Sequence, residues 1–125
     1  MAEIKISELS IGDWVKIDGE PAKALCLRIA GGHIFKGISG QMYRCCGGKD
    51  FEPIPLSPEI LEKNGISKTY ESDEYAVYKG EGFNVTEYYT ELWEFERHRN
   101  RLMIRNVHQL QNALRLAGVE KEIEL

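Results

Sequence analysis

The chain has 125 residues, a formal net charge of −4, 42% apolar residues and 29% charged residues. This composition suits a folded domain with its own core and excludes both a disordered chain and a disulfide-stapled miniprotein. Apolar runs end after a handful of residues, far short of the ~20 that span a bilayer, so no membrane partner is expected.

The opening, Met1-Ala2-Glu3-Ile4-Lys5, lacks the charged-then-apolar order of a secretory signal, and a cytoplasmic location is expected. Residues 4–9 read as a short lead-in. Trp14-Val15-Lys16-Ile17 alternates as a half-buried strand does. Asp18-Gly19 follows, a favoured two-residue hairpin turn because both central positions want positive φ. Pro21 donates no ladder hydrogen bond, so it belongs at the beginning of the next strand, which Ala22 to Ile29 continue. Gly31-Gly32 predicts a second turn. His33 to Ile38 and Gln41 to Cys46 read as two further strands around Ser39-Gly40, and Gly47-Gly48 closes the series. Four short strands with regular turns predict a small antiparallel sheet or barrel.

Phe51-Glu52-Pro53-Ile54-Pro55-Leu56 is held extended by its two prolines, and Phe51, Ile54 and Leu56 are its packing residues. Ser57-Pro58-Glu59 starts a helix: the serine caps free amides, and proline at the first helical position loses no hydrogen bond. This helix runs from Pro58 to about Asn64, stops at Gly65 and buries Ile60 and Leu61. Residues 66–105 read as strands again. Tyr75 to Tyr78 lead to a turn at Gly80-Glu81-Gly82, then Phe83 to Tyr89 and Glu91 to Arg97, where Trp93 and Phe95 share one face and Glu94 and Glu96 the other. His98-Arg99-Asn100 is a loop into Arg101-Leu102-Met103-Ile104-Arg105. A final helix begins at the cap Asn106, with Gln109 three residues on as in a capping box. Val107, Leu110, Leu114 and Ala117 form its core stripe, while His108, Asn112 and Arg115 share another face. Gly118 ends it, and Val119 to Leu125 reads as a tail or edge strand.

The fold class expected is α+β: an N-terminal SH3-like sheet or barrel, a short middle helix, a second antiparallel sheet and a C-terminal helix. The whole chain, 1–125, is expected to be a single domain, with a 1–50 subregion and a 51–125 subregion sharing one core.

Leu9-Ser10-Ile11-Gly12-Asp13-Trp14-Val15, Gly19-Glu20-Pro21, the stretch Glu52 to Leu61 and Val107-His108-Gln109-Leu110-Gln111-Asn112 together resemble a family found in prophages and mobile elements of anaerobic gut bacteria. That resemblance implies a bacterial or phage cytosolic protein and carries no catalytic residues with it. Residues 9–50, through Leu9 and Gly12-Asp13-Trp14-Val15, also resemble the opening of SH3-like barrels, a fold that does not by itself fix function.

Cys26, Cys45 and Cys46 make an odd set with two adjacent members, which suits free thiols in a reducing compartment. Adjacent strand residues point to opposite faces, so Cys45 and Cys46 do not grip one metal, although Cys26, one of that pair and His33 are candidates to converge. A cysteine nucleophile would need a base, and His33 is the nearby histidine, with His98 and His108 far along the chain. The carboxylate pairs Glu94/Glu96 and Asp73/Glu74 fit a solvated sheet face better than an acid–base site. Gly47-Gly48-Lys49 lacks the rest of a phosphate loop. No cofactor, metal or catalytic residue is expected, and the chain reads as a non-enzyme.

Charge is unevenly spread. Residues 51–96 carry three lysines against eleven carboxylates, whereas residues 97–115 carry five arginines and no carboxylate. Arg97, Arg99, Arg101 and Arg105, with His98, cluster at a hairpin tip. Guanidinium forks bind phosphates, and Trp93, Tyr88 and Tyr89 would stack on bases if exposed. Pairing of the arginines with Glu87, Glu91, Glu94 and Glu96 across the sheet would instead cancel the patch. The leading expectation is a protein-interaction module, with an unknown protein partner or self-association. Nucleic-acid binding through residues 97–105 is the alternative, and an acidic pI near 5.4 weighs against it.

Overall fold

The computed structural model describes residues 6–27, 32–45 and 51–125. The expected continuation of the second strand to Ile29, the turn glycine Gly31, and Cys46 with Gly47-Gly48-Lys49 lie outside them. The chain divides into two compact units, Met1–Ile54 and Pro55–Leu125, with the boundary inside the two-proline connector. Among the described residues no helix is long and apolar enough to cross a membrane.

The first unit opens with a 3-10 turn, Ile6–Glu8, followed by strands β1 (Trp14–Ile17), β2 (Glu20–Cys26), β3 (His33–Gly37) and β4 (Met42–Cys45). They pair antiparallel in simple order, β1-β2-β3-β4. Among the described residues β4 does not return to β1, so the sheet is an open meander and the expected barrel closure is not seen. The turn before β1 explains the Gly12-Asp13-Trp14 sequence. The buried Asp13 carboxylate accepts the Ser10 N–H at 2.9 Å, and Gly12 adopts φ 93°, which a side chain would disfavour. Asp18 and Gly19 both take positive φ, the type I′ geometry that matches strand twist. Glu52 extends the sheet on the far side of β1 through two hydrogen bonds with Lys16, at 2.8 and 2.9 Å. Alternation places Val15, Ile17, Ala22, Ala24 and Phe35 on one face, where they pack with Leu9 and Phe51, the two phenyl rings 4.9 Å apart. Glu20 ties the β3–β4 turn to β2: its carboxylate accepts from Ser39 N–H, Ser39 Oγ–H and the Tyr43 hydroxyl.

The second unit starts with helix α1 (Pro58–Lys63), in which Ser57 Oγ accepts the Ile60 N–H at 3.3 Å and Gly65 turns the chain away at φ 76°. Leu61 is fully buried and Ile60 only partly so. Five strands follow as a second antiparallel meander: β5 (Ser67–Glu71), β6 (Tyr75–Gly80), β7 (Phe83–Tyr88), β8 (Leu92–Arg97) and β9 (Asn100–Ile104). Ala76, Tyr78, Phe83, Val85, Trp93, Phe95 and Ile104 form its buried face. Helix α2 (Val107–Leu116) contributes Val107, Leu110, Ala113 and Leu114 to the same core. Gln109 Oε1 reaches back to the N–H groups of Asn106 and Arg105, at 3.1 and 2.7 Å, which satisfies the free amides where α2 begins. Ala117, expected in the core stripe, is only half-buried. His108 is buried, in keeping with a packing role.

Asn100 belongs to β9, so the β8–β9 loop is a two-residue turn, His98-Arg99, rather than a three-residue loop. The tail after Gly118 forms no strand. Ile123 is instead buried, and Glu124 is held through its backbone by Asn64.

Candidate functional site

The arginine cluster sits where β8 hands over to β9. Arg97 pairs with Asn100 across the turn, and His98 takes φ 57°, an unusual conformation for a residue with a β-carbon. Arg99 projects at the tip, Arg101 stands opposite Glu96, and Arg105 follows β9. One of the four arginines makes the cross-strand pairing expected from sequence: Arg101 Nε lies 2.9 Å from Glu96 Oε2. Among the described residues no carboxylate comes within 4.0 Å of the Arg97, Arg99 or Arg105 guanidinium. Arg97 Nε instead faces His98 Nε2 at 3.5 Å. The basic charge of the turn is therefore only partly neutralised.

The aromatic residues expected beside the arginines are not there. Trp93 shares the buried face with Phe95 and lies against Tyr78, ring centroids 6.2 Å apart, so it offers no stacking surface. Tyr88 and Tyr89 belong to the β7–β8 end, five residues of strand from the arginine turn, or roughly 17 Å at the rise of an extended strand. Tyr88 joins Tyr75 and Tyr70 in a row on the face of the sheet opposite Trp93, with ring separations of 6.0 and 5.4 Å. Tyr89 donates to Glu71 at 3.3 Å.

The structure adds what the sequence reading missed. A cleft of about 390 Å³ opens between the β8–β9 hairpin and the C-terminal end of α2. Phe95, Leu102, Ala113, Leu116 and Ala117 supply its apolar walls, and Arg97, His98, Asn100 and Arg101 its polar rim. Leu116 is 76% exposed and Leu102 42%, an apolar surface beside the arginine turn; Met103, 51% exposed, lies on the opposite face with Glu94. The signal available in the sequence was Leu102-Met103 lying between arginines, which a strand assignment alone does not distinguish from core. Arg97 also borders a second, more polar groove of about 550 Å³, on the side of Gly80, Gly82 and Gly118.

Glu87 has a perturbed carboxyl: burial pushes it up, and the Lys68 ammonium pulls it back. The buried Tyr78 phenol is pushed up to about 12, first by burial and then by the charge of Glu87. Neither residue borders either cleft, so the pair belongs to the interior of the sheet. Glu94 and Glu96 sit on the face away from Trp93, and Glu96 is engaged by Arg101. His98 lies at the turn tip, while His108 is buried in the first turn of α2. In the first unit Cys26 is a half-buried free thiol opposite Ile34, and His33 is paired through its backbone with Cys45. Among the described residues no group of three His, Cys, Asp or Glu side chains is placed to hold a metal.

No protein-family model, curated protein or solved structure matches this chain.

Proposed function

We propose that the protein is a non-enzymatic binding module that recognises another protein through the β8–β9 hairpin. The observation that carries this reading is the juxtaposition of Arg97 and Arg99, which have no carboxylate partner among the described residues, with exposed Leu102 and Leu116. Arginine beside apolar surface is the composition of protein-binding hot spots, whereas single-stranded nucleic acid calls for basic charge beside stacking aromatics. Trp93 is buried and Tyr88 and Tyr89 lie at the other end of β8, so this surface has the first composition and lacks the second. The proposal includes the accessory role in a phage or mobile element that the sequence resemblance implies. It also reads the open meander of the first unit as an incomplete SH3-like barrel.

A second reading, nucleic-acid binding through Arg97, Arg99, Arg101 and Arg105, is favoured by the same unneutralised guanidinium groups. Two experiments separate the readings. Random-peptide selection against the immobilised full chain is expected to enrich binders that Arg97→Gln/Arg99→Gln no longer retains. Titration with labelled single- and double-stranded DNA and RNA at low and near-physiological salt is expected to show no salt-sensitive binding. Salt-sensitive nucleic-acid affinity, lost in the same variant and accompanied by no peptide enrichment, would reverse the order of the two.

A further inference from the structure

Strand β9 is an edge strand, and its hydrogen-bonding side is open over a defined stretch. A two-residue hairpin makes its flanking residues, Arg97 and Asn100, a mutually hydrogen-bonded pair. Counting along the ladder, Asn100, Leu102 and Ile104 turn their N–H and C=O groups toward β8. Arg101, Met103 and Arg105 turn theirs outward. The outward groups of Arg105 are occupied: its C=O accepts from Leu56 N–H at 3.0 Å and its N–H donates to Gln109 at 2.7 Å. Those of Arg101 and Met103 have no partner among the described residues, and both residues are exposed. An unpaired edge of this kind is a template for an added strand.

We infer that this edge binds an acidic, extended peptide by β-strand addition; the inference rests on the protein-interaction reading and specifies its partner. The side chains around the edge select the occupant. Arg97 and Leu102 share one face of the sheet, beside Leu116 and the apolar cleft, with Arg99 at the adjoining turn. On the other face Arg101 is paired with Glu96, and Met103 stands opposite Glu94. A strand laid against β9 therefore meets unneutralised arginine at its turn end and apolar surface beside Leu102. The complementary sequence combines apolar residues with carboxylates that reach Arg97 and Arg99. A second copy of this chain is a poorer occupant. Two-fold pairing of β9 with itself would bring the arginines of both copies together, and like charges across a strand pair are destabilising. Strand β5, the opposite edge of the sheet, carries a register shift between Lys68 and Tyr70, which disrupts the regular ladder a partner strand needs.

The probe is a short synthetic peptide of alternating glutamate and valine, titrated into the full-length protein with residue-resolved amide hydrogen exchange. Binding is expected to slow exchange at the Arg101 and Met103 amides and to weaken about tenfold or more in Arg97→Gln/Arg99→Gln, the loss of charge-assisted contacts. A peptide of alternating lysine and valine should not bind. The same glutamate–valine peptide, N-methylated at every second amide in each of the two possible registers, should lose binding to the unaltered protein. The variant Met103→Pro, which removes an outward donor and leaves the β8 ladder intact, should do likewise. Retained binding by both N-methylated peptides, or protection confined to residues away from β9, would overturn the inference. If the glutamate–valine peptide fails while peptides from random selection still bind through other residues, β9 is the wrong surface and the binding-module reading stands. If no peptide of any kind binds, both fall.

Discussion

Asn64 caps α1 and at the same time holds the C-terminal tail, and replacing it tests whether that tail is part of the fold. Its Nδ2 donates to Ile60 O and to Glu124 O, each at 2.8 Å, and its Oδ1 accepts from Glu124 N–H at 2.7 Å. Asn64→Ala removes all three bonds. Each contributes about 0.5–1.5 kcal/mol net, and the freed backbone groups lie near enough to the surface to bond water, so the expected loss is about 2–4 kcal/mol. The buried side chain of Ile123 is the next residue affected. Releasing it costs about 1.5–3 kcal/mol of apolar burial, but a freed tail regains about 1–2 kcal/mol of backbone entropy per residue, so the two offset. The loss should therefore level off rather than grow as the tail detaches. Urea unfolding measures the total, and hydrogen exchange at Glu124 locates it. A stability within about 0.5 kcal/mol of the parent, with Glu124 exchange unchanged, would show that the tail is not anchored in this way.

Two further outcomes follow from packing and titration. A β-carbon at position 80 would overlap the ring of Phe83, which is buried and stacked on Phe95 at 5.5 Å, so Gly80→Ala should cost about 1–3 kcal/mol. Thermal unfolding should show that loss, and adding Phe83→Leu should return part of it; additive losses would refute the overlap. In the first unit, hydrogen bonds from Tyr43 and then Ser39 hold the Glu20 carboxyl below its ordinary value. A lowered folded pKa contributes stability above the unfolded value and loses it as pH falls through the folded one. Glu20→Gln should accordingly be less stable than the parent at neutral pH, and the difference should shrink on acidification. A difference independent of pH would remove the carboxylate from the account. The partner phenol, Tyr43, is pushed up to about 12, chiefly by its hydrogen bond to Glu20. Its share of stability is complete below the ordinary phenol range near 10 and fades as pH rises through about 12.

Much of the fold was legible because the information is local. Asp18-Gly19 needs positive φ at two successive residues, Ser57-Pro58 offers an acceptor and a residue with no amide to lose, and Gln109 stands three residues from its cap. Alternation likewise put Trp93 and Phe95 on one face, which is the face the structure buries. What escaped was decided by pairing between distant residues. Ser67–Glu71 lies in the 66–105 stretch read as strands, but it is exposed throughout with no alternation in burial, so its bounds are set by pairing with β6. The tail from Val119 has strand-like composition, yet Asn64 takes the backbone groups of Glu124 that a ladder would have used. Tyr88 and Tyr89 are near Arg97 in sequence and a strand length away in space.

Sequence alone determined the Asp18-Gly19 turn, the Ser57 and Gln109 caps, the shared inward face of Trp93 and Phe95 and the clustering of arginine after residue 96, since each depends on a few neighbouring residues. Tertiary structure decided which arginine is neutralised, that Trp93 is withdrawn from the surface, and that the outward edge of β9 is occupied at Arg105 but open at Arg101 and Met103. Those outcomes depend on groups that strand pairing and packing bring together: Glu96 across the hairpin, Tyr78 two strands away, and Leu56 from the connector, whose backbone bond to Arg105 marks where the open edge ends.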